Sequence, residues 1–207
     1  MPKEKLKIVL LGGGAVGKSS LTLRLTTGKF FEDYDPTIED CHITTLVVDG
    51  QPVILEILDT AGQEDFHNSF MDQWIESAQG FLLVYSIESS QSLDMLLALR
   101  DRILLTNNDE NFPIVLVGNK SDVRKEEKEV AVSYEDGKTL ADRWGASFFE
   151  VSAKESKMLK EPFEQLVRCI RYRKRHFGGS RHLAHTKDIT PGCGGNRMSI
   201  FGLCTIL

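Results

Sequence analysis

The chain has 207 residues, which is the length of one ordinary domain with some residues left over. Its apolar fraction of 41% is sufficient for a hydrophobic core, and its charged fraction of 27% is typical of a soluble protein. No apolar run approaches the roughly 18 residues of a membrane helix, and the short apolar stretch after the basic N-terminus is unlike a signal peptide. The four cysteines show no CxxC spacing, so we expect neither a zinc site nor a disulfide framework, but a reducing compartment.

Charge is distributed unevenly along the chain. The net charge is −5, yet residues 168–187 contain seven Lys or Arg and no Asp or Glu. A basic segment attached to an acidic body indicates a local anionic surface as a partner and argues against general nucleic-acid binding. The run 124–129, RKEEKE, alternates in sign, and we interpret it as a solvated loop.

Apolar runs rich in β-branched residues alternate with longer helical patterns. The predicted strands are KLKIVLL (5–11), two strands within CHITTLVVDGQPVILEILD (41–59), GFLLVYSI (80–87), FPIVLVGN (112–119) and SFFEVSA (147–153). The predicted helices are SSLTLRLTTG (19–28), Ser92–Leu105, Tyr134–Trp144 and a last helix near Met158–Arg175. The Asp49-Gly50 pair favours a tight hairpin between the second and third strands. Strands separated by helices predict βαβ units, and therefore an α/β fold with a largely parallel sheet covered on both faces.

The composition changes after Phe177. Residues 178–207 contain six of the chain's 17 glycines and show neither a helical nor a strand period. We therefore divide the chain into a folded domain, residues 1–177, and a flexible tail, residues 178–207, that packs no core.

Three consecutive glycines follow the first predicted strand. The spacing Gly12-x-x-x-x-Gly17-Lys18-Ser19, between a strand and a helix, is the phosphate-binding loop pattern. In such a loop, inward-turned N–H groups and the positive helix N-terminus hold phosphate oxygens, and a Cβ would collide with the ligand. Lys18 supplies a charge to the outer phosphates, and the Ser19 hydroxyl supplies a ligand for Mg²⁺. The residues predicted to line the phosphates are Gly12, Gly14, Ala15, Val16, Gly17, Lys18, Ser19 and Ser20.

The base is predicted by NKSD, Asn119 to Asp122, which follows an apolar strand. The carboxyl end of a parallel strand is where such sheets bind ligands. An ionised Asp122 only accepts hydrogen bonds, so it suits the paired N–H donors of guanine and faces the wrong group on adenine. In isolation these four residues are equally consistent with a polar turn. With the glycine loop upstream, they predict a guanine nucleotide.

The third element is LDTAGQE at 58–64. Asp59 ends a strand and can hold Mg²⁺ through water, and Gly62 can bring its N–H to the γ-phosphate. Gln63 is placed to orient an attacking water. Alone, this stretch is also typical of a strand-ending turn.

The motifs GGGAVGKSS, YDPTIED, DTAGQE, NKSD and VSAK occur in this order within residues 5–176. In this respect the chain resembles the Ras branch of the small GTPases, the Ras and Rap proteins among them. The resemblance implies a P-loop NTPase fold: a six-stranded, mostly parallel sheet with five helices on its two faces and the second strand antiparallel to the rest. It also implies a switch that binds GTP or GDP with Mg²⁺ and hydrolyses GTP to GDP.

The resemblance implies roles for further residues by position. Thr37 would meet both Mg²⁺ and the γ-phosphate in the GTP state, and Tyr34 would cover the phosphates. Residues 34–40 would bind effectors, and Gly62 to about Trp74 would form the second switch. The residues that would surround guanine are Phe30, Asn119, Lys120, Asp122, Ser152, Ala153 and Lys154. For Phe30, a place in the core is almost as consistent.

Gly14 and Gln63 are the residues that permit hydrolysis in the family that the chain resembles. We therefore expect a hydrolysis-competent switch that is slow alone, because no arginine has an obvious role in cis, and that a GAP stimulates. Cys41-His42 and FHNSFMDQW (66–74) depart from the usual pattern, so the resemblance does not name the effector, the exchange factor or the GAP. Two rival interpretations are a non-hydrolysing guanine-nucleotide-binding scaffold and an ATP-dependent kinase or ATPase, which Asn119 and Asp122 disfavour.

The sequence ends Cys204-Thr205-Ile206-Leu207, which fits the prenylation pattern, with Leu favouring geranylgeranyl. One lipid chain binds membranes only marginally, so a second signal is needed. Arg168 to Arg175 are a candidate for it, the alternative being a solvated helix face, and Cys193 is a candidate palmitate acceptor. We expect a monomer at the cytoplasmic face of the plasma membrane or an endomembrane. Its partners would be an exchange factor, a GAP and effector proteins, and no nucleic acid.

Overall fold

The computed structural model describes residues 4–31, 39–60, 69–125 and 130–177. The strands in these ranges are β1 (Glu4–Leu11), β2 (Glu39–Val48), β3 (Gln51–Thr60), β4 (Gly80–Ser86), β5 (Ile114–Asn119) and β6 (Ser147–Glu150). The α-helices are α1 (Lys18–Thr27), α2 (Ser69–Ser77), α3 (Ser90–Asn107), α4 (Tyr134–Trp144) and α5 (Glu161–Phe177), and a short 3₁₀ helix covers Ser121–Lys125.

The strands form one sheet in the order β2-β3-β1-β4-β5-β6. β2 pairs antiparallel with β3, and every other neighbouring pair is parallel. This confirms the predicted six-stranded α/β sheet with its second strand reversed. The hairpin turns at Asp49-Gly50, where both residues have the positive φ, 53° and 74°, that this pair was predicted to supply.

Two hydrophobic clusters cover the two faces of the sheet. One joins β1 and β3 to α1 and α5, through residues such as Leu21, Phe163 and Leu166. The other joins β4 and β5 to α2, α3 and α4, through residues such as Ile75 and Leu96. β4 and β5 are buried along their whole length. Strands that are covered on both faces need apolar residues at nearly every position, which explains the continuous apolar runs of these two strands.

Several element boundaries differ from the sequence-based prediction, and β6, for example, ends at Glu150 and not at Ala153. α3 is longer at both ends, because the Ser89 side chain accepts a hydrogen bond from the Ser92 N–H at its start and Asn108 ends it in the left-handed region. α5 begins at Glu161 and not near Met158, whose φ of 48° is incompatible with a helix. α2 was not predicted from its own residues, although five helices were implied by the resemblance.

The basic residues of α5 are mostly paired with acids of the domain. Arg168 Nε lies 3.0 Å from Asp49 Oδ1 in the β2–β3 turn. Arg171 Nε lies 2.9 Å from Glu4 Oε2, and Arg173 Nη2 lies 2.8 Å from Asp109 Oδ2. The side chains of Arg168, Arg173 and Lys174 remain 38–45% exposed, so this helix face is solvated, as the alternative predicted, and is also ion-paired.

The run 124–129 is also only partly what the sequence suggested. Its first two residues belong to the 3₁₀ helix, and the Arg124 guanidinium lies against the buried carboxylate of Glu150. Residues 126–129 lie outside the described residues, as do the whole of the tail, 178–207, with Cys193 and Cys204.

Candidate functional site

The glycine loop, residues 12–17, connects the end of β1 to the start of α1. A Cβ on Gly12 would lie 2.0 Å from the carbonyl oxygen of Val84, and a Cβ on Gly17 would lie 2.4 Å from Asn119 Nδ2. Their φ angles, 154° and 92°, are also ones that other residues rarely adopt. Glycine is therefore required at these two positions for the chain to pass so close to β4 and β5.

Lys18 is the first residue of α1, and its side chain is only 5% exposed. Its ammonium donates hydrogen bonds of 2.9 Å to the carbonyl oxygens of Gly12 and Gly13, so the side chain folds back over the loop. Burial lowers the pKa of Lys18 to about 8, and the charge of Asp59 opposes this shift only in part. An anion bound beside the ammonium would raise this pKa again, so the position favours anion binding.

The N-terminus of α1 has no capping side chain. Gly17 precedes it with no side-chain cap, and no acidic residue lies in the first turn. The first N–H groups of a helix have no partner within the helix, and they carry its partial positive charge. Val16 is buried beneath the loop, Ser19 and Ser20 are half-buried, and Gly14 and Ala15 are exposed at its tip. The loop therefore fits phosphate groups.

Asp59, next to last in β3, is 1% exposed. Burial raises the pKa of its carboxyl group, while a hydrogen bond from Ser19 and the charge of Lys18 lower it. One carboxylate oxygen, Oδ1, is buried and has no hydrogen-bond partner among the described residues. A buried carboxylate oxygen without a donor, beside a serine hydroxyl at the phosphate loop, fits a Mg²⁺ ion and its waters.

Asn119 ends β5 and is 2% exposed. Its Nδ2 donates to the carbonyl oxygen of Val16 at 2.9 Å, and its Oδ1 accepts from the N–H of Ala153 at 3.3 Å. Asn119 therefore joins the glycine loop to the loop after β6. Lys120 follows in the left-handed region, with φ of 67°, and its ammonium pairs with Glu88 at 2.8 Å.

Asp122 lies in the 3₁₀ helix, half-buried. Its Oδ1 accepts a hydrogen bond of 2.6 Å from the hydroxyl of Ser152, which is fully buried. Lys154, two residues further on, is exposed. The side chain of Phe30 is half-buried and packs against the core beside α1, in agreement with the alternative that the sequence left open for it.

The structure brings most of the predicted site residues to one edge of the sheet, where β1, β3 and β5 end. Four predicted residues lie outside the described residues: Tyr34, Thr37, Gly62 and Gln63. Within the described ranges, no three His, Cys, Asp or Glu side chains are grouped so that they could hold a metal ion. The predicted Mg²⁺ site, which uses Ser19, Thr37, phosphate oxygens and Asp59 through water, is not of that type.

Sequence reasoning missed two residues beside the guanine motif. Arg124 and Glu150 form an ion pair at 2.5 Å that links the 3₁₀ helix to the end of β6. A glutamate at the end of a buried strand is a signal, since such residues are almost never buried without a partner. The partner itself could not be identified from sequence, because it lies in a different loop.

A parallel sheet with a glycine loop leading into a helix, a buried lysine and an Asn-Lys-x-Asp segment at the same edge defines a P-loop nucleotide-binding domain of the guanine-specific class. A model of the Ras family matches residues 7–172, so the chain belongs to the Ras family and is a small GTPase of the kind that binds GTP and GDP. Among the helices that the structure describes, none has both the length and the apolar character to cross a membrane.

Proposed function

We propose that this chain is a molecular switch that binds GTP or GDP with Mg²⁺, hydrolyses GTP to GDP and signals to effectors through residues 34–40. The observation that supports the proposal best is the 2.9 Å hydrogen bond from Asn119 Nδ2 to the Val16 carbonyl oxygen. It makes the guanine motif and the phosphate loop parts of one site, as a guanosine polyphosphate requires.

Each described residue of the site has a part in binding. Lys18 neutralises the outer phosphates, the N–H groups of the loop and of the first turn of α1 donate to phosphate oxygens, and Asp122 accepts from guanine. Ser19 and Thr37 would hold Mg²⁺, with Asp59 acting through water. Bound Mg²⁺ would neutralise charge on the phosphate oxygens during phosphoryl transfer.

In the proposed hydrolysis, Gln63 orients the attacking water, and Gly14 leaves space for an arginine that a GAP supplies. Contacts of Thr37 and Gly62 with the γ-phosphate would hold the two switches, residues 34–40 and 62–74, in the form that effectors bind. Loss of the γ-phosphate would release these contacts, so effector binding depends on GTP.

Single-turnover hydrolysis of GTP by the purified chain distinguishes the switch from a non-hydrolysing scaffold. We expect slow release of one phosphate per bound GTP, and a strong reduction of that rate in Gln63→Ala. Gln91→Ala is the matched control, because Gln91 is an exposed glutamine of α3, outside both proposed switches. Bound GTP that remains intact over many hours in the unmodified chain would favour the scaffold. Competition between GDP and ADP tests the base, and retention of proteins on the GTP-analogue form alone identifies effectors.

Membrane attachment is the part of the proposal that concerns the tail. We propose that Cys204 is geranylgeranylated and that this lipid brings a monomeric domain to the cytoplasmic face of the plasma membrane or an endomembrane. Since Arg168, Arg171 and Arg173 are paired with acids, they add less net positive charge than their number suggests. Incorporation of a labelled geranylgeranyl group should be lost in Cys204→Ser and kept in Cys193→Ser, which is the control.

A further inference from the structure

Arg124 makes a bidentate contact with Glu150. Its Nε lies 3.0 Å from Glu150 Oε2, and its Nη2 lies 2.5 Å from Oε1. The same Nη2 donates to the carbonyl oxygen of Val132 at 2.9 Å, one residue before Ser133 caps α4. The Glu150 side chain is 8% exposed and the Arg124 side chain 29%, so the carboxylate is largely removed from water.

The two partners of this ion pair belong to the two loops that the guanine base would contact. Arg124 lies two residues after Asp122, in a 3₁₀ helix of five residues. Glu150 lies two residues before Ser152, whose hydroxyl donates to Asp122, and three before Ala153, whose N–H donates to Asn119. The ion pair thus adds to the links between these loops, which also include a 3.0 Å hydrogen bond from the Ser121 N–H to the Val151 carbonyl oxygen and the Lys125–Glu155 ion pair at 2.6 Å.

We propose that Arg124 and Glu150 are positioning residues that fix the carboxylate of Asp122 for guanine and thereby set the preference for this base. The inference rests on the proposed role of Asp122 as the acceptor from guanine. A 3₁₀ helix of five residues has poor hydrogen-bond geometry of its own and does not hold a side chain rigidly. A planar guanidinium in bidentate contact with a buried carboxylate holds the loop more rigidly, because both the distance and the orientation of the two groups are constrained.

The orientation of Asp122 matters because a hydrogen bond weakens steeply when its angle departs from linear. Guanine offers Asp122 two donors, the ring N–H and the exocyclic amino group, and both bonds need the carboxylate in the plane of the base. Hypoxanthine, the base of inosine diphosphate, keeps the ring N–H and lacks the amino group. A displaced carboxylate therefore weakens GDP binding more than IDP binding.

The test compares the dissociation constants of GDP and IDP for Arg124→Gln and Glu150→Gln with those of the unmodified chain. We expect GDP to bind about tenfold more weakly and IDP at most about threefold more weakly, so the GDP/IDP preference falls. Arg168→Gln is the matched control, since Arg168 is also ion-paired, to Asp49, on the distant α5. It should leave both constants unchanged.

Equal weakening of GDP and IDP, or no weakening, in both variants would overturn the inference and leave the pair as a brace for the fold alone. Glu150→Gln keeps an acceptor for Arg124, so it tests the proposal even if Arg124→Gln does not fold. Asp122→Asn serves as reference. If it leaves the GDP/IDP preference of the unmodified chain intact, the proposed role of Asp122 fails, and the positioning role fails with it.

Discussion

The side-chain amide of Asn119 and the carbonyl oxygen of Val16 are joined by a 2.9 Å hydrogen bond across 103 residues of sequence. The bond is buried, and the other end of the same amide accepts from Ala153. One side chain thus holds the phosphate loop and both guanine loops in a fixed relation, and its removal should affect the whole nucleotide.

We expect Asn119→Ala to accelerate GDP dissociation by about 10- to 100-fold. A buried carbonyl left without its donor costs about 1–3 kcal/mol, and each 1.4 kcal/mol is a factor of ten. Dissociation of a fluorescent GDP analogue measures the effect. Asn107→Ala is the control, because Asn107 also donates to a backbone carbonyl at 2.9 Å, but within α3. Similar dissociation from both variants would contradict the role of Asn119.

Gly12→Ala should destabilise the domain by about 3 kcal/mol or more. The added methyl would lie 2.0 Å from the Val84 carbonyl oxygen, which is fixed in β4 and cannot move away. Gly28→Ala is the matched control, because a Cβ there would meet nothing within 4 Å and only the positive φ of 72° opposes it, at about 1 kcal/mol. Urea unfolding of the two variants gives the comparison, and equal losses of stability would show that the close approach is unimportant.

Nucleotide binding should take up a proton above pH 8. In the free protein, burial lowers the pKa of Lys18 to about 8, and a bound polyphosphate raises it again. Below pH 7 the ammonium is charged in both states, so affinity is independent of this group. Above pH 8 affinity should fall by up to about tenfold per pH unit. Calorimetry in buffers of different ionisation enthalpy measures the uptake, which should disappear in Lys18→Met.

The same lowered pKa affects folding without nucleotide. A lysine whose pKa is lower in the folded state than in the unfolded state loses its proton more readily on folding. The free energy of unfolding of the nucleotide-free domain should therefore rise with pH between about 8 and 10.5 through this group. Lys18→Met, which cannot titrate, should lack that part of the rise when the two are unfolded by urea side by side.

Arg171→Ala should destabilise the domain by about 2–4 kcal/mol. Arg171 is 8% exposed, and its Nη1 donates to the Val48 carbonyl oxygen at 2.8 Å while its Nε pairs with Glu4. Both acceptors would lose a charged donor. Arg175→Ala, at an exposed position of the same helix, should change stability by less than about 0.5 kcal/mol. Chemical denaturation at low and high salt is the measurement, and a loss that vanishes at high salt would indicate a surface pair.

Local signals were sufficient for much of the fold. The Asp49-Gly50 hairpin and the bounds Tyr134–Trp144 of α4 are confirmed, because turn residues and a Ser133–Asp136 capping box act within a few positions. α2 was missed because nine residues, Ser69–Ser77, give too few turns for a clear helical period. The start of α5 was placed too early because the pairing of Ser152 with Lys157 occupies the preceding residues.

In the candidate site, too, the residues of contiguous motifs could be predicted and the contacts between distant residues could not. The glycine loop and the Asn-Lys-Ser-Asp segment are contiguous patterns, so their residues could be named from sequence. Contacts such as those of Asn119 with Val16 and of Arg124 with Glu150 join residues far apart in the chain, and no periodicity reports them. The hydrogen bonds from the Lys18 ammonium to the carbonyl oxygens of Gly12 and Gly13 could not be predicted either, because they depend on burial that only the folded sheet provides.

The arrangement of α5 has a mechanical consequence. Arg168, Arg171 and Arg173 form ion pairs with different parts of the domain. Their partners lie in the β2–β3 turn, at the first residue of β1 and in the loop after α3. A pull at Phe177, the last residue of the helix, is thus shared by three ion pairs in different parts of the domain. Tension from the proposed membrane attachment would therefore act at the end of the sheet remote from the phosphate loop.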